Sequence, residues 1–375
     1  MPALRNDVDP DGLQEFSVVF TDRSLNHMSA VFQQVMRDIS ATLKEVYGAS
    51  SVAVVPGGGT YAMESVARQF GRDARALIVR NGWFSYRWSQ IFDMSGIAAE
   101  APALKARQTG NATRTPFAPA PIDEVTAEIR DHRPDVVFAP HVETAAGIIL
   151  PDDYIKALGA AAHEVGALFV LDCIASGCVW VDMEAMGVDV LLSAPQKGWS
   201  ASPAAGLVMM SKAARARLDE TTSDSFAMDL AKWTAIMEAY EGGGHAYHAT
   251  MPTDALRGFR DTMDEMRAIG FDTLQQAQWE LGRGVRALLA EKGVQSVAAP
   301  GFEAPGVVVC FTDDPEVQSG RKFAAQGLQI AAGVPLQCNE PGDYRSFRIG
   351  LFGLDKLTDV PGTLERLKPA IDAVF

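Results

Sequence analysis

The sequence has few cysteines, an excess of negative over positive charge, and no long uninterrupted hydrophobic run. Its four cysteines, which include no C-x-x-C pair, are Cys173, Cys178, Cys310 and Cys338. This usage argues against a zinc site and a disulfide framework, and it favours a reducing, cytoplasmic compartment. No uncharged apolar run approaches the roughly 18 residues of a membrane span. The N-terminal residues also lack the apolar core of a secretory signal, so neither feature is expected.

The charge balance narrows the expected partners. There are 33 Lys and Arg residues against 47 Asp and Glu residues, which gives a net charge of −14. A surface of this sign repels nucleic acid and anionic membranes, so neither is an expected partner. An anionic substrate therefore needs positive charge supplied locally by its site. Four of the six histidines (His27, His132, His163 and His245) show no metal-ligand spacing, and no metal is expected. For His141 and His248, a structural hydrogen-bonded role is expected more than a catalytic one.

Apolar runs alternate with helical patterns in the first part of the chain. The helix after the first run places Met63, Val66, Ala67 and Phe70 on one face. Continuous apolar runs between amphipathic helices are typical of a mostly parallel sheet covered on both faces. The predicted strands are 51–55, 75–80, 135–140, 167–172, 188–193 and 205–211.

The pattern changes after residue 253 to long helices, two short strands (306–311 and 346–352) and a terminal helix. On a prior of about 100–200 residues per domain, a chain of 375 residues holds two domains. We therefore predict an α/β protein. Its large domain spans residues 15–253 with a mostly parallel sheet, and a smaller α+β domain spans 254–375. The segment 107–121 is expected to be a loop.

Polar residues follow the predicted strands at their carboxyl ends, where ligands bind in parallel sheets. These segments are 57–60, 81–88, 141–144, Asp172 and 196–197. Because the carboxyl ends meet at one edge, a single site there is expected.

Lys197 stands in "SAPQKGWSASPAAG" (193–206), among small and polar residues. An amine that attacks a carbonyl must be neutral, and small neighbours leave room for a flat partner. A solvated loop lysine is the alternative for Lys197 taken alone. Asp172 ends a covered strand 25 residues earlier. A carboxylate there needs a cation, such as a protonated pyridine nitrogen, although a helix cap or turn is an equal alternative.

"PGGGTYAMES" (56–65) is a glycine turn that leads into a helix. Its backbone N–H groups and the positive end of the helix form a site for an anion, and Thr60 adds a hydroxyl. It matches neither a Walker A loop nor G-x-G-x-x-G.

The order and spacing of these parts resemble the class V aminotransferases of pyridoxal-phosphate fold type I, and most closely the alanine–glyoxylate and serine–glyoxylate branch. The resemblance covers nearly the whole chain from residue 50. It rests on seven collinear motifs: "GGGTYAMES", "NGWFSYRW", "HVETAAG", "LDCIASG", "SAPQKG", "YHATMP" and "FRIGLFG".

The resemblance implies a role for each matching residue. Lys197 would bond covalently to pyridoxal 5'-phosphate and carry the proton during catalysis. Asp172 would bond the pyridine nitrogen. The remaining cofactor contacts would be Ile174 and Phe84 on the two ring faces, Thr144 near the ring oxygen, and Gly58, Gly59, Thr60 and Gln196 at the phosphate.

It also implies a homodimer, because Tyr247 and Thr250 would reach the phosphate of the neighbouring subunit. Arg348 would bind the substrate carboxylate with its planar fork. The implied reaction transfers an amino group from a small amino acid such as alanine or serine to a small 2-oxo acid such as glyoxylate or pyruvate. The segment 18–29 stands where the family has a Pro-Gly-Pro turn near the substrate, so aminophosphonate and aminosulfonate donors stay open.

Two alternative functions stay open. A cysteine desulfurase or related lyase of the same fold would need a nucleophilic thiol, for which Cys338 is the candidate. Gln196 stands where those enzymes carry histidine, which argues against this reading. A catalytically silent cofactor-binding sensor would have no need of the carboxylate clamp at Arg348.

Overall fold

A computed structural model describes residues 7–18, 20, 22–112 and 114–375. Val19 and Thr21 of the segment 18–29, and Thr113 of the segment 107–121, lie outside the described residues.

The described part of the chain alternates strands and helices. The strands are β1 (Ser51–Pro56), β2 (Ala76–Arg80), β3 (Ala103–Lys105), β4 (Arg107–Gln108), β5 (Phe117–Ala118), β6 (Val136–Pro140), β7 (Val142–Glu143), β8 (Ile148–Ile149), β9 (Leu168–Asp172), β10 (Val190–Ser193), β11 (Ala205–Met210), β12 (Val307–Phe311), β13 (Ala331–Ala332) and β14 (Ser346–Gly350). The helices are α1 (Ala30–Tyr47), α2 (Gly59–Phe70), α3 (Trp83–Ser95), α4 (Ile122–His132), α5 (Asp152–Glu164), α6 (Met183–Met186), α7 (Lys212–Glu220), α8 (Leu230–Glu241), α9 (Thr253–Ile269), α10 (Phe271–Ala290), α11 (Pro315–Gln318), α12 (Arg321–Ala324), α13 (Leu354–Leu357) and α14 (Val360–Val374).

The main sheet has seven strands in the order β1-β11-β10-β9-β6-β2-β3. Strands β10, β9, β6, β2 and β3 pair in parallel, whereas β11 is antiparallel to both of its neighbours. Because β11 is reversed relative to β1 and to β10, those two strands point the same way. The predicted mostly parallel sheet is confirmed.

Burial explains why these runs form strands and covering helices. Every residue of β2, β6, β9, β10 and β11 is buried. The predicted apolar face of α2 is buried as expected, with Met63, Val66, Ala67 and Phe70 in the core. Met63, Val66 and Phe70 each contribute roughly 1.5–3 kcal/mol when fully buried. The helix packs against β11 through this face.

The strand directions bring the predicted segments to one edge. Asp172, at the end of β9, pairs with Pro140 of β6 and with Leu192 of β10. Pro56, at the end of β1, pairs with Ala205, where β11 begins. The glycine turn after β1, Asp172, and the loop between β10 and β11 are therefore neighbours at this edge, as the sequence predicts.

A second, antiparallel sheet has the order β12-β14-β13. Helix α10 packs against β12 and α14, and helix α9 packs against α1. The predicted domain boundary at 253/254 stays a prediction.

The segment 107–121 differs from the predicted loop. It contains a short antiparallel pair, in which Arg107 faces Ala118 and Gln108 faces Phe117. Phe117 is buried, and its N–H donates to the Val297 carbonyl at 2.7 Å. The aromatic side chain thus fixes this segment against the second part of the chain. Among the described helices, none is long and apolar enough to span a bilayer.

Candidate active site

Lys197 lies on the loop that joins β10 to β11. A Cβ at Gly198 would collide with the carbonyl oxygen of Gly177, in the loop that follows Asp172. The Cys178 thiol also contacts the Gly198 carbonyl oxygen, at 3.3 Å. The small residue after Lys197 is therefore required because two backbones touch there, and this contact holds the lysine loop against the loop of Asp172.

The surroundings of Lys197 favour its neutral amine. The residue is partly buried, and its Nζ lies 5.4 Å from the centre of the Phe352 ring. Burial lowers the pKa of Lys197, and the positive charges of Arg348 and Arg87 lower it further. A lysine in such a place loses its proton more readily than one in water, as a nucleophilic amine must.

Asp172 is buried at the end of β9, with 8% of the residue exposed. One carboxylate oxygen accepts a hydrogen bond from the Ile174 N–H at 3.0 Å. Burial raises the pKa of Asp172 to about 7; the Ile174 N–H and Arg87 oppose this rise, and the Glu143 carboxylate adds to it. A cationic partner within hydrogen-bond reach would stabilise the charged carboxylate.

The glycine turn after β1 is tied to the lysine loop, because the Gly57 N–H donates to the Ala204 carbonyl at 2.9 Å. Gly58 caps helix α2 with an extended backbone and no side-chain bond. The first N–H groups of a helix lack partners within the helix, so this end of α2 suits an anion. A Cβ at Gly59 would lie 2.6 Å from Cδ1 of Ile174, so the turn and the Asp172 loop are also in contact.

Helix α3 brings an aromatic ring and an arginine to the same place. Arg87 donates from its guanidinium to the Thr60 hydroxyl at 2.9 Å. The guanidinium carbon of Arg87 lies 4.7 Å from the centre of the Phe84 ring, and that of Arg348 lies 5.5 Å from it. Sequence reasoning missed Arg87. Its signal was the spacing of three residues from Phe84, which places both on one side of a helix.

Glu143 fixes the start of α3. Its carboxylate is buried and accepts hydrogen bonds from the N–H groups of Phe84 (3.2 Å), Ser85 (2.8 Å) and Ala145 (2.9 Å), and from the Ser85 hydroxyl (2.7 Å). A negative charge at a helix N-terminus is stabilised by the unpaired N–H groups. The bonds to Phe84 and Ser85 fix the first turn of α3, and the bond to Ala145 fixes the loop of Glu143 itself, so Glu143 has a positioning role.

Thr144 and Gln196 complete the predicted set. Thr144 follows Glu143 in the hairpin of β7 and β8, with 9% of the residue exposed. The side-chain oxygen of Gln196 is buried and has no hydrogen-bond partner within the described residues. A buried amide oxygen without a partner is unfavourable, so this atom suits a bound hydrogen-bond donor.

Arg348 lies on β14, partly buried, and its Nε donates to the Ala332 carbonyl at 2.8 Å. Burial lowers the pKa of Arg348. Within the described part of the chain it has no carboxylate in ion-pairing distance. The rest of its guanidinium fork is therefore available to a carboxylate ligand.

Tyr247 and Thr250 lie on the segment between α8 and α9, apart from this group. Their hydroxyls are 3.3 Å apart, and the Tyr247 ring lies 5.4 Å from that of His27. Tyr247 is 55% exposed. Among the described residues, none of these contacts reaches the lysine loop.

Cys338 is poorly suited to be a nucleophile. It is 5% exposed, and its sulfur lies 3.5 Å from the Arg80 carbonyl oxygen. Burial raises the pKa of the Cys338 thiol to about 12. The reactive form of cysteine is the thiolate, which this environment disfavours.

The model of the family "Aminotransferase class-V" matches residues 13–342. The chain belongs to this family.

Three curated relatives match most of the chain. The 2-aminoethylphosphonate–pyruvate transaminase of Paraburkholderia phymatum is 28% identical over 88% of this chain and 86% of its own. The alanine–glyoxylate aminotransferase 1 of Saccharomyces cerevisiae is 25% identical over 83% of this chain and 82% of its own. A protein of Synechococcus named soluble hydrogenase, small subunit, is 25% identical over 82% of this chain and 77% of its own.

Among solved structures, the alanine–glyoxylate aminotransferase of Nostoc sp. matches with a TM-score of 0.77 at 21% identity, over 93% of this chain and 89% of that one. The likeness confirms the predicted fold type I architecture. Together with the family model and the relatives named as transaminases, it confirms the predicted enzyme class, an aminotransferase of a pyridoxal-phosphate-dependent family.

The donor set fits pyridoxal phosphate. Three features match its parts: a lysine with a lowered pKa, a buried carboxylate lacking a cation, and the free helix N-terminus at Gly58 and Gly59. Gly59 has no room for a side chain, because Ile174 fills that space.

Proposed function

We propose that this protein is a pyridoxal-phosphate-dependent aminotransferase that moves an amino group from a small amino acid, of the alanine or serine type, to a small 2-oxo acid, of the glyoxylate or pyruvate type. The observation that carries the proposal is the backbone contact of Gly198 with Gly177, which holds the Lys197 loop against the loop of the buried Asp172. Relatives named for alanine, glyoxylate and pyruvate support the substrate class.

Eight residues of this chain would hold the cofactor ring and phosphate. Asp172 would bond the pyridine nitrogen, Ile174 and Phe84 would cover the ring, and Thr144 would be near the ring oxygen. The glycine turn (Gly58 and Gly59), Thr60 and Gln196 would hold the phosphate. When bound, pyridoxal phosphate supplies the aldehyde that accepts the amino group and the electron sink for the Cα carbanion.

The protein's own steps concern protons and orientation. Arg348 binds the substrate carboxylate and so fixes which bond to Cα is aligned for cleavage. The neutral Lys197 amine takes the proton that leaves Cα and returns it to the new position. Glu143 keeps the start of α3, and with it Phe84, in place through its three bonds to Phe84 and Ser85.

The active unit is proposed to be a homodimer, in which Tyr247 and Thr250 reach the phosphate of the partner. Their exposure on the segment between α8 and α9 supports this arrangement. The four cysteines are free and buried, which supports a reducing compartment such as the cytoplasm.

The test begins with the covalent bond to lysine. Purified protein given pyridoxal phosphate should absorb visible light, and borohydride should fix the cofactor to Lys197, as peptide mass spectrometry would detect. Lys197→Ala should lose both signals, whereas Lys212→Ala, at an exposed lysine, should keep them. Borohydride-fixed cofactor in the Lys197→Ala protein contradicts the assignment.

The reaction itself is tested by the half-reaction. L-Alanine or L-serine added without an acceptor should convert one equivalent of bound aldehyde to the amine and release one equivalent of 2-oxo acid. Glyoxylate or pyruvate should restore the aldehyde. Failure of both donors refutes the proposed substrate class.

A second candidate donor is an aminophosphonate, because one relative is named for 2-aminoethylphosphonate and pyruvate. The same half-reaction with 2-aminoethylphosphonate in place of alanine distinguishes the two. A desulfurase activity is disfavoured by the raised pKa and burial of Cys338.

A further inference from the structure

Arg87 joins two elements of the site without being part of the predicted set. Its guanidinium donates to the Thr60 hydroxyl on α2 at 2.9 Å, and it covers the Phe84 ring on its own helix at 4.7 Å. Both partners are residues that the proposed function assigns to the cofactor. The arginine therefore connects Thr60, which would hold the cofactor phosphate, to Phe84, which would cover the cofactor ring.

The two arginines near α2 differ in whether a carboxylate neutralises them. Arg68, further along the same helix, is neutralised by Glu64 and Asp224, each at 2.8 Å. Arg87 forms no ion pair within the described residues, and its polar contact is a neutral hydroxyl. Within the described residues, the arginine beside Thr60 thus has no carboxylate that offsets its charge.

The proposed phosphate site otherwise contains only neutral groups from this chain, namely Gly58, Gly59, Thr60 and Gln196. A phosphate that carries close to two negative charges is stabilised by a cation within hydrogen-bond reach. Guanidinium groups suit phosphate in charge and in geometry. In a protein with a net charge of −14, that cation must come from the site.

The hydrogen bond also sets the direction of the Thr60 hydroxyl. The Thr60 oxygen accepts from Arg87, so its own proton points away from the guanidinium. Thr60 lies in the first turn of α2, beside the N–H groups that would face a bound anion. The hydroxyl can then donate to the same anion.

We propose that Arg87 is a positioning residue for the cofactor phosphate: it orients the Thr60 hydroxyl as a donor and supplies the positive charge of that end of the site. This inference rests on the proposed function, because it assumes that pyridoxal phosphate binds here. The charge of Arg87 also reaches the other end of the site, since it lowers the pKa of Asp172 and of Lys197.

The test compares two aldehydes that differ only in the phosphate. Cofactor-free protein is titrated with pyridoxal phosphate and with pyridoxal, and dissociation constants are read from visible absorbance and tryptophan fluorescence. Arg87→Met should weaken pyridoxal phosphate at least 10-fold and pyridoxal less than 2-fold. Arg87→Lys should be intermediate, because it keeps the charge without the fork. Arg72→Met, which removes an exposed arginine beyond the end of α2, should leave both constants unchanged.

A second comparison tests the hydroxyl. Thr60→Val should also weaken pyridoxal phosphate selectively, and the double variant Arg87→Met/Thr60→Val should lose less than the product of the two single effects, because the groups act together. Pyridoxal affinity serves as the control for folding.

Equal weakening of both aldehydes by Arg87→Met would mean a structural role and overturn the proposal. If Arg87→Met left the affinity for pyridoxal phosphate unchanged and raised the KM for an anionic donor, Arg87 would be a substrate-binding residue. That result would also overturn the proposal. A wild-type chain that binds no pyridoxal phosphate overturns the proposed function itself. The first two outcomes leave that function standing.

Discussion

The side chain of Ile174 occupies the space that a side chain at Gly59 would need. An added Cβ would lie 2.6 Å from Cδ1 of Ile174, whereas one at the neighbouring Gly58 would have no atom within 4 Å. The extended backbone of Gly58 is one that any residue adopts. A side chain is therefore excluded at Gly59 but tolerated at Gly58, although both glycines belong to one turn in the sequence.

Gly59→Ala should destabilise the cofactor-free protein by about 1–3 kcal/mol, because it overpacks the contact between α2 and the Asp172 loop. Gly58→Ala is the matched control and should change stability by less than about 0.5 kcal/mol. Adding Ile174→Ala to Gly59→Ala should recover part of the loss, which chemical unfolding of the four variants measures. Equal effects at the two glycines would contradict the geometry.

The buried carboxylate of Asp172 should make the stability of the cofactor-free protein depend on pH. Its pKa is raised from 3.8 to about 7, so the folded state keeps a proton that the unfolded state releases. The stabilisation is fully present below the unfolded pKa and is lost as the pH rises through about 7. Between about pH 5 and pH 7.5 the loss is on the order of 2 kcal/mol.

Asp172→Asn should remove this dependence, as unfolding midpoints in urea at the two pH values would report. Saturating pyridoxal phosphate should also remove it from the wild type, because a protonated pyridine nitrogen stabilises the charged carboxylate. A wild-type protein whose pH dependence equals that of Asp172→Asn would show that Asp172 titrates as it does in water.

Mixed dimers test whether Tyr247 and Thr250 act across the subunit boundary. One subunit carries Lys197→Ala, and the other carries Tyr247→Ala with Thr250→Ala; each pure dimer should be nearly inactive at limiting cofactor. In the hybrid, the site that keeps Lys197 receives Tyr247 and Thr250 from the unmutated segment of its partner. Activity of about half a wild-type dimer per hybrid is therefore expected.

If the two hydroxyls served their own subunit, the hybrid would contain no intact site and would stay inactive. The measurement is transamination by affinity-purified hybrids with two different tags. The two pure mutant dimers, purified in the same way, set the background.

The sequence predicted the parts of the site that depend on local pattern. Lys197 and Asp172 follow apolar runs whose burial makes them strands, and carboxyl ends of such strands share an edge. Their place therefore follows from periodicity and the general rule for parallel sheets. The family resemblance then supplied the roles.

What the sequence left out depends on packing between distant segments. Arg87 meets Thr60 only because α3 lies against α2. The sequence of β11 looks like that of a buried parallel strand, although the strand is antiparallel to both neighbours. Amino-acid composition does not reveal the direction of a buried strand. Cys338 stands among glycine and proline residues typical of an exposed loop, yet it is buried where its sulfur meets the Arg80 carbonyl.

The pairing of β1 with β11 also affects the order in which the chain folds during synthesis. Ser51 lies opposite Met210, so the strand that precedes the glycine turn meets its neighbour only after most of the sheet has been made. Contacts between segments so far apart in the chain form slowly. During synthesis on the ribosome, this edge of the sheet therefore closes only after Met210 has left the exit tunnel, which makes it a late step in folding.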